Sequence, residues 1–183
     1  MERQEAEKLV KDRLGGGNLF KHTLAVEAVM CRLARHLGED EEKWGLTGLL
    51  HDIDYAETAD DPERHSMVGA DMLEEMGLEE DVVEAVRSHN DRHGLPRRTT
   101  MAKALYCSDP VTGLIVAGAL VHPDKKLASL DTEFLLNRFH EKSFARGARR
   151  DTIEACSDLG LELEEFLGLA LDGMQEVSDR LGL

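Results

Sequence analysis

The chain has 183 residues, 42% of them hydrophobic and 32% charged, and its 22 Lys plus Arg against 37 Asp plus Glu leave a formal net charge of −15. That length supports one domain with a sizeable core, and the charge disfavours broad binding to a nucleic-acid backbone, which relies on Lys and Arg to neutralise phosphates. No stretch approaches the roughly 18 consecutive apolar residues of a membrane span, and Met1-Glu2-Arg3-Gln4-Glu5 is charged where a signal peptide is apolar, so the expectation is a cytoplasmic protein with neither a membrane nor a nucleic-acid partner.

Helix signals follow one another along the chain, and no window alternates as a strand would. A helix over about residues 2–14 is broken by Gly15-Gly16-Gly17, a hinge that lacks the lysine of a phosphate loop. Asn18 then reads as the N-cap of a long helix that runs to Leu37 and stops at Gly38. A third helix spans about Asp40 to His51, and the segment 52–61 is acidic and irregular. Asp61-Pro62 reads as N-cap plus first-turn proline of a helix reaching Met76 and closed by Gly77. Helices near 79–89 and 99–108 follow, then Asp109-Pro110 interrupts the pattern before an almost uncharged helix, Val111 to Val121. His122-Pro123-Asp124 marks a second boundary, beyond which helices are expected near 131–140, 150–158 and 162–181. In the last of these Leu163, Phe166, Leu167, Ala170, Met174, Val177 and Leu181 form one apolar stripe, which either docks on the core or pairs with a second chain as a homodimer. Cys31, Cys107 and Cys156 are far apart and set in apolar helical contexts, so they read as reduced packing residues.

The informative feature is where several of the eight histidines fall relative to these stripes. His22 lies four residues before Val26 on the face that continues through Val29, Leu33 and Leu37, so its imidazole points inward. His65 heads the run Val68, Gly69, Met72, Met76, and His89 ends the stripe of Val82 and Val86. Asp109 shares a face with Met101 and Leu105, and His51-Asp52 follow Leu49-Leu50 at a helix end. A lone inward histidine is ordinarily a satisfied core residue. An inward Asp is harder to accommodate, because a buried carboxylate must be paired or coordinate a cation, and no Lys or Arg lies within a turn on the same face of Asp52 or Asp109. One shared divalent cation would satisfy all of these groups together, since neutral His and Asp suit Fe, Mn, Co, Ni or Zn.

A histidine in one helix, the pair His51-Asp52 at the end of the next, and Asp109 after an apolar helix resemble the H…HD…D signature of the HD-domain superfamily of metal-dependent phosphohydrolases. The likeness covers about residues 18–121, including Leu49-Leu50-His51-Asp52-Ile53 and Tyr106-Cys107-Ser108-Asp109. It implies an all-α HD-domain helical bundle, 1–183 as a single domain with an HD core of about 18–121 and a C-terminal helical extension of about 122–183. It further implies a divalent metal held by His22, His51, Asp52 and Asp109. In the binuclear branch of the superfamily two more histidines lie between the HD pair and the last Asp, and His65 and His89 occupy matching places, which implies two ions bridged by Asp52. The run His51-Asp52-Ile53-Asp54-Tyr55 departs from the HDIG form, so no general acid can be transferred from the lysine that often follows it. Asp54 is left either to orient water or to hold a ligand histidine, against the plainer reading of an exposed loop acid.

The chemistry that this ligand set implies is attack of metal-bound hydroxide on phosphorus in a small phosphorylated metabolite, with nucleotides among the expected substrates. Cations near the motif are the expected substrate contacts: Arg64, Arg97, Arg98 and Lys103, with Lys21 and Arg92 alongside, and His93 as a further phosphate contact, against the plainer reading of each as a solvated surface group. Arg97-Arg98 stand out because they follow the Gly94-Leu95-Pro96 turn. Two other readings remain: a binuclear-iron oxygenase of the same superfamily, and a non-catalytic HD-fold binding module, which the intact ligand set disfavours.

Overall fold

The computed structural model describes residues 1–183, which form eleven α-helices and three short 3-10 turns without any strand. The helices are α1 (Arg3–Leu14), α2 (Asn18–Leu37), α3 (Glu41–Leu50), α4 (Tyr55–Thr58), α5 (Met67–Glu75), α6 (Glu80–Ser88), α7 (Thr100–Val121), α8 (Thr132–His140), α9 (Arg150–Glu154), α10 (Leu163–Glu176) and α11 (Ser178–Leu181). The 3-10 turns cover Asp91–His93, Leu127–Ser129 and Ala155–Leu159. The expected all-α bundle is what forms.

Helix α2 is the axis of the bundle and packs against α3, α7 and α10. Its inward stripe of Val26, Val29 and Leu33 is buried, as the helical spacing predicts. Two of these contacts are backbone to backbone. A Cβ on Gly48 would lie 2.9 Å from the Val26 carbonyl oxygen, and one on Gly173 would lie 2.6 Å from that of Ala28, so α3 and α10 sit against opposite flanks of α2 at distances that only glycine permits. Arg3 clamps α1 onto the same helix with a fork to Glu27, at 2.5 Å to Oε1 and 2.9 Å to Oε2. All three cysteines are free thiols, Cys107 and Cys156 buried and Cys31 half-buried.

Five local expectations are corrected. Asn18 is the first helical residue of α2, and Gly17 takes the N-cap place. The helix expected over 61–76 starts only at Met67: residues 62–66 are turns, and Ser66 has φ +70° where its N–H is taken by the Asp54 carboxylate at 2.9 Å. The buried face of α5 is therefore Gly69, Ala70 and Leu73, Met76 is exposed, and His65 stands on the preceding turn. The helices expected over 99–108 and 111–121 are one helix, α7, with Pro110 inside it. A proline in a helix interior removes one ladder bond, a cost that tertiary packing on both sides of α7 overrides. Finally, the helix near 150–158 is α9 followed by a 3-10 turn, and the terminal helix breaks at Val177 between α10 and α11.

By length and hydropathy α7 is also the one helix that could cross a membrane. Its apolar character has another use here, since its faces are covered by α2, α6, α8, α9 and α10. The terminal stripe packs largely inward: Phe166, Leu167, Ala170, Met174 and Leu181 are buried within the chain's own core, against α2 and α8, while Leu163 and Val177 are half-buried.

Candidate metal centre

Six side chains from five parts of the bundle converge at one end of α2. His22 comes from the first turns of α2, and His51 and His89 are the C-caps of α3 and α6. Asp52 follows His51, His65 is delivered by the turn before α5, and Asp109 by the middle of α7. Asp52 lies at the centre. Its Oδ1 is 3.3 Å from His51 Nε2, 3.5 Å from His65 Nε2 and 3.6 Å from His89 Nε2, while its Oδ2 is 3.7 Å from His22 Nε2. Asp109 Oδ1 closes the ring at 3.1 Å from His22 Nε2 and 4.0 Å from His51 Nε2.

All four imidazoles turn Nε2 toward the centre because Nδ1 is held from behind. The carbonyls of Gly48 and Val86 accept from His51 Nδ1 at 2.8 Å and His89 Nδ1 at 2.6 Å, in each case three residues back along the helix that the histidine caps. A helix end leaves such carbonyls without ladder partners, so capping the helix and fixing the tautomer are one interaction. His65 Nδ1 lies 3.2 Å from Asp54 Oδ1. Thr112 donates its hydroxyl proton to the Asp109 carbonyl at 2.9 Å, which leaves its oxygen to accept from His22 Nδ1 at 3.2 Å.

This donor set suits a divalent cation. The Nε2 atoms of His51 and His89 are buried with no hydrogen-bond partner, and an orphaned buried nitrogen is costly unless something outside the chain takes its lone pair. Burial pushes the His51 imidazole down to about 4 despite the Asp52 charge beside it, so that ring is neutral at ordinary pH and its Nε2 lone pair is available to a cation. Burial works against ionisation of Asp52, yet the surrounding His51, His89 and His22 hold its carboxyl well below the usual range. Two groups within the cluster, His22 with His51 and Asp109, and His51 with Asp52 and His89, bring their ligand atoms within 4.8 Å of one another.

Asp54 does not face the centre. It is fully buried, and although burial raises its pKa, bonds from His65 and from the backbone of Gly69 and Ser66 bring it below the ordinary value. The reading as an exposed loop acid is corrected: Asp54 is buried and holds the Nδ1 side of His65.

A cavity of about 290 Å³ opens beside the cluster, with His65, His89 and Asp109 on its inner wall. Its outer wall contains Arg92 and Tyr106 and, from the C-terminal extension, Arg149 and Thr152. The expected substrate contacts are mostly elsewhere. Arg64, Arg98 and Lys103 do not line the cavity. His93 is taken up by the His65 carbonyl, 2.8 Å from its Nε2, where it braces the turn that carries His65. Arg97 stacks on the Tyr106 ring at 3.4 Å and pairs with Asp91 at 2.8 Å, so it supports the wall from behind. Lys21 donates to the Leu181 carbonyl at 2.8 Å. Sequence reasoning missed Thr112, although its three-residue spacing from Asp109 places both on one helix face, and it missed Arg149, for which no local signal exists.

Residues 19–117, more than half of the chain, match the HD domain. The chain belongs to the HD domain family. It is thereby a member of the metal-dependent phosphohydrolase superfamily, and the histidines and aspartates described above fall within the HD domain itself. Ribonuclease Y of Nitratidesulfovibrio vulgaris (strain DP4) is 31% identical over 96 residues, which are 52% of this chain and 18% of that protein. Ribonuclease Y of Thermotoga petrophila is 27% identical over 140 residues, 74% of this chain and 27% of that protein. Ribonuclease Y of Salinispora arenicola is 32% identical over 98 residues, 54% of this chain and 16% of that protein. The HD chain thus spans less than a third of the length of each of these relatives.

Proposed function

We propose that the chain hydrolyses a phosphate ester of a small metabolite, with nucleotides the first class to test, using one or two divalent ions held by His22, His51, Asp52, His65, His89 and Asp109. The observation that carries this reading is Asp52, whose two oxygens face four imidazole nitrogens, each ring held at its other nitrogen by the protein. A divalent ion bound there supplies an acidified water and a counter-charge for phosphoryl oxygens. The residues do the rest: Asp54, Thr112 and the Gly48 and Val86 carbonyls keep the rings in place, and the adjoining cavity orients the ester with Arg92 and Arg149 on its rim.

The relatives' name, Ribonuclease Y, brings RNA forward as a second substrate class. A net charge of −15 and a cavity of about 290 Å³ favour a small ester over a polyanion held along an extended surface. The test is elemental analysis of the chain purified without chelator, beside Asp52→Ala and His89→Ala, with phosphate release then measured over nucleotides, simple phosphoesters and an RNA oligonucleotide. About two ions per chain, falling in both variants, is the expected result. One ion kept in His89→Ala would restrict the centre to His22, His51, Asp52 and Asp109. Metal content without release from any small ester would overturn the small-ester reading, and oxygen uptake by the iron-loaded chain would favour the oxygenase.

A further inference from the structure

The outer wall of the cavity carries two guanidinium groups that the HD ligand set does not use. Arg92 comes from the turn after α6, and Arg149 from the C-terminal extension, outside the HD match of residues 19–117. Both share the cavity with His65, His89 and Asp109, so a molecule in it with one phosphate at the metal centre also meets these two cations.

Arg149 is built into place. Its neighbour Arg150 turns the opposite way and donates to the carbonyls of Arg138, Phe139, Glu141, Phe144, Ala145 and Ala148, with no carboxylate among its partners. That single guanidinium organises the irregular segment 141–149, which carries Arg149 and Gly147 to the cavity. Arg149 itself is about half exposed and lies between Asp91 and Asp151, the latter at 2.6 Å. Its hold on Asp91 is replaceable, because Asp91 has a second cation in Arg97 at 2.8 Å and is not orphaned when Arg149 turns to another anion. Arg92 is more exposed still, and its partner Glu63 is an open surface group at 3.2 Å.

We propose that Arg149, assisted by Arg92, binds a second phosphate group of the substrate, so that the cavity selects small molecules with two phosphates over those with one. The planar fork of arginine matches phosphate oxygens in pairs, and two cations suit a doubly charged phosphate better than a single carboxylate. This rests on the phosphohydrolase reading for which phosphate is cleaved, but the binding preference can be measured without turnover.

The experiment compares AMP, ADP and adenosine 3′,5′-bisphosphate on the Mn-loaded full chain, by calorimetry at 4 °C for dissociation constants and by phosphate release at 25 °C for KM and kcat. At least one two-phosphate ligand is expected to bind about tenfold or more tightly than AMP, and Arg149→Gln to erase that difference, as loss of a charge-assisted contact would. Arg149→Lys, which keeps the charge without the fork, is expected to keep part of the preference, and Arg92→Gln to reduce it. Equal affinity for all three ligands in the wild type, or a preference that survives in Arg149→Gln, overturns the proposal. A preference that Arg149→Gln removes, in a protein that releases no phosphate, upholds the proposal and rejects the hydrolase reading instead.

Discussion

Asp54 Oδ1 lies 3.2 Å from His65 Nδ1, so the second aspartate of the His51-Asp52-Ile53-Asp54 run holds the back of an imidazole whose front faces the first. Replacing Asp54 by Asn keeps an acceptor for the Ser66 N–H and removes the charge that favours this tautomer. Metal affinity is expected to fall by about 10–100-fold, the usual cost of losing an outer partner of a ligand histidine. A chelator competition titration measures it, and an affinity within about twofold of wild type would remove Asp54 from the support of the centre.

Metal uptake should depend on pH through His22. Burial alone would lower its pKa, but the hydrogen bond to Asp109 and the charges of Asp109 and Asp52 raise it to about 8 in the metal-free chain. His89 is raised as well: burial would lower it, but the Asp52 carboxylate 3.6 Å from its Nε2 outweighs that. Below pH 8 an incoming cation must therefore displace a proton from His22, so affinity rises with pH up to about 8 and levels off above it. Calorimetric titrations in buffers of different ionisation heat count the protons released at pH 7; none released would contradict this assignment.

The glycine contacts on α2 set a stability prediction. Gly48→Ala and Gly173→Ala each place a methyl group inside contact distance of an α2 carbonyl, at 2.9 and 2.6 Å. Neither obstacle is the far end of a flexible side chain, so the helices must separate, at a cost of about 1–3 kcal/mol. For a chain of this size that lowers Tm by about 2–4 °C per kcal/mol, measurable by thermal denaturation. Gly113→Ala, where nothing lies within reach of the new methyl group, is the control and should not lower Tm.

Removal of residues 162–183 should leave an aggregating chain. Phe166, Leu167, Ala170 and Met174 are buried against the bundle, and their loss uncovers the flank of α2 that Gly173 approaches. Size-exclusion chromatography of the truncated chain decides it: a stable, soluble monomer would mean that α10 is dispensable to the core.

Much of the centre was legible because helical spacing is a local rule. His22 with Val26 and Val29, Asp109 with Leu105, and His89 with Val86 each reduce to residues three or four apart, and each is inward in the folded chain. His65 reached the same place by a different route. The stripe that Val68, Gly69, Met72 and Met76 suggest is not the buried face of α5, and His65 is carried by a turn that forms because the Asp54 carboxylate captures the Ser66 N–H. That capture joins residues twelve apart in sequence, and no periodicity encodes it.

The sequence by itself determined the helical class, the inward aspect of His22, His89 and Asp109, and the presence of inward-facing acids with no cation nearby on their own helices, because these follow from side-chain spacing along one element and from the cost of burying charge. Tertiary structure alone decided which oxygen of Asp52 meets which imidazole, that Asp54 supports the centre from behind, that α7 runs unbroken through Pro110, and that Arg149 rather than Arg97 reaches the cavity. Each of these depends on where two distant segments come to rest against each other, and that position is set by the packing of the whole bundle around α2.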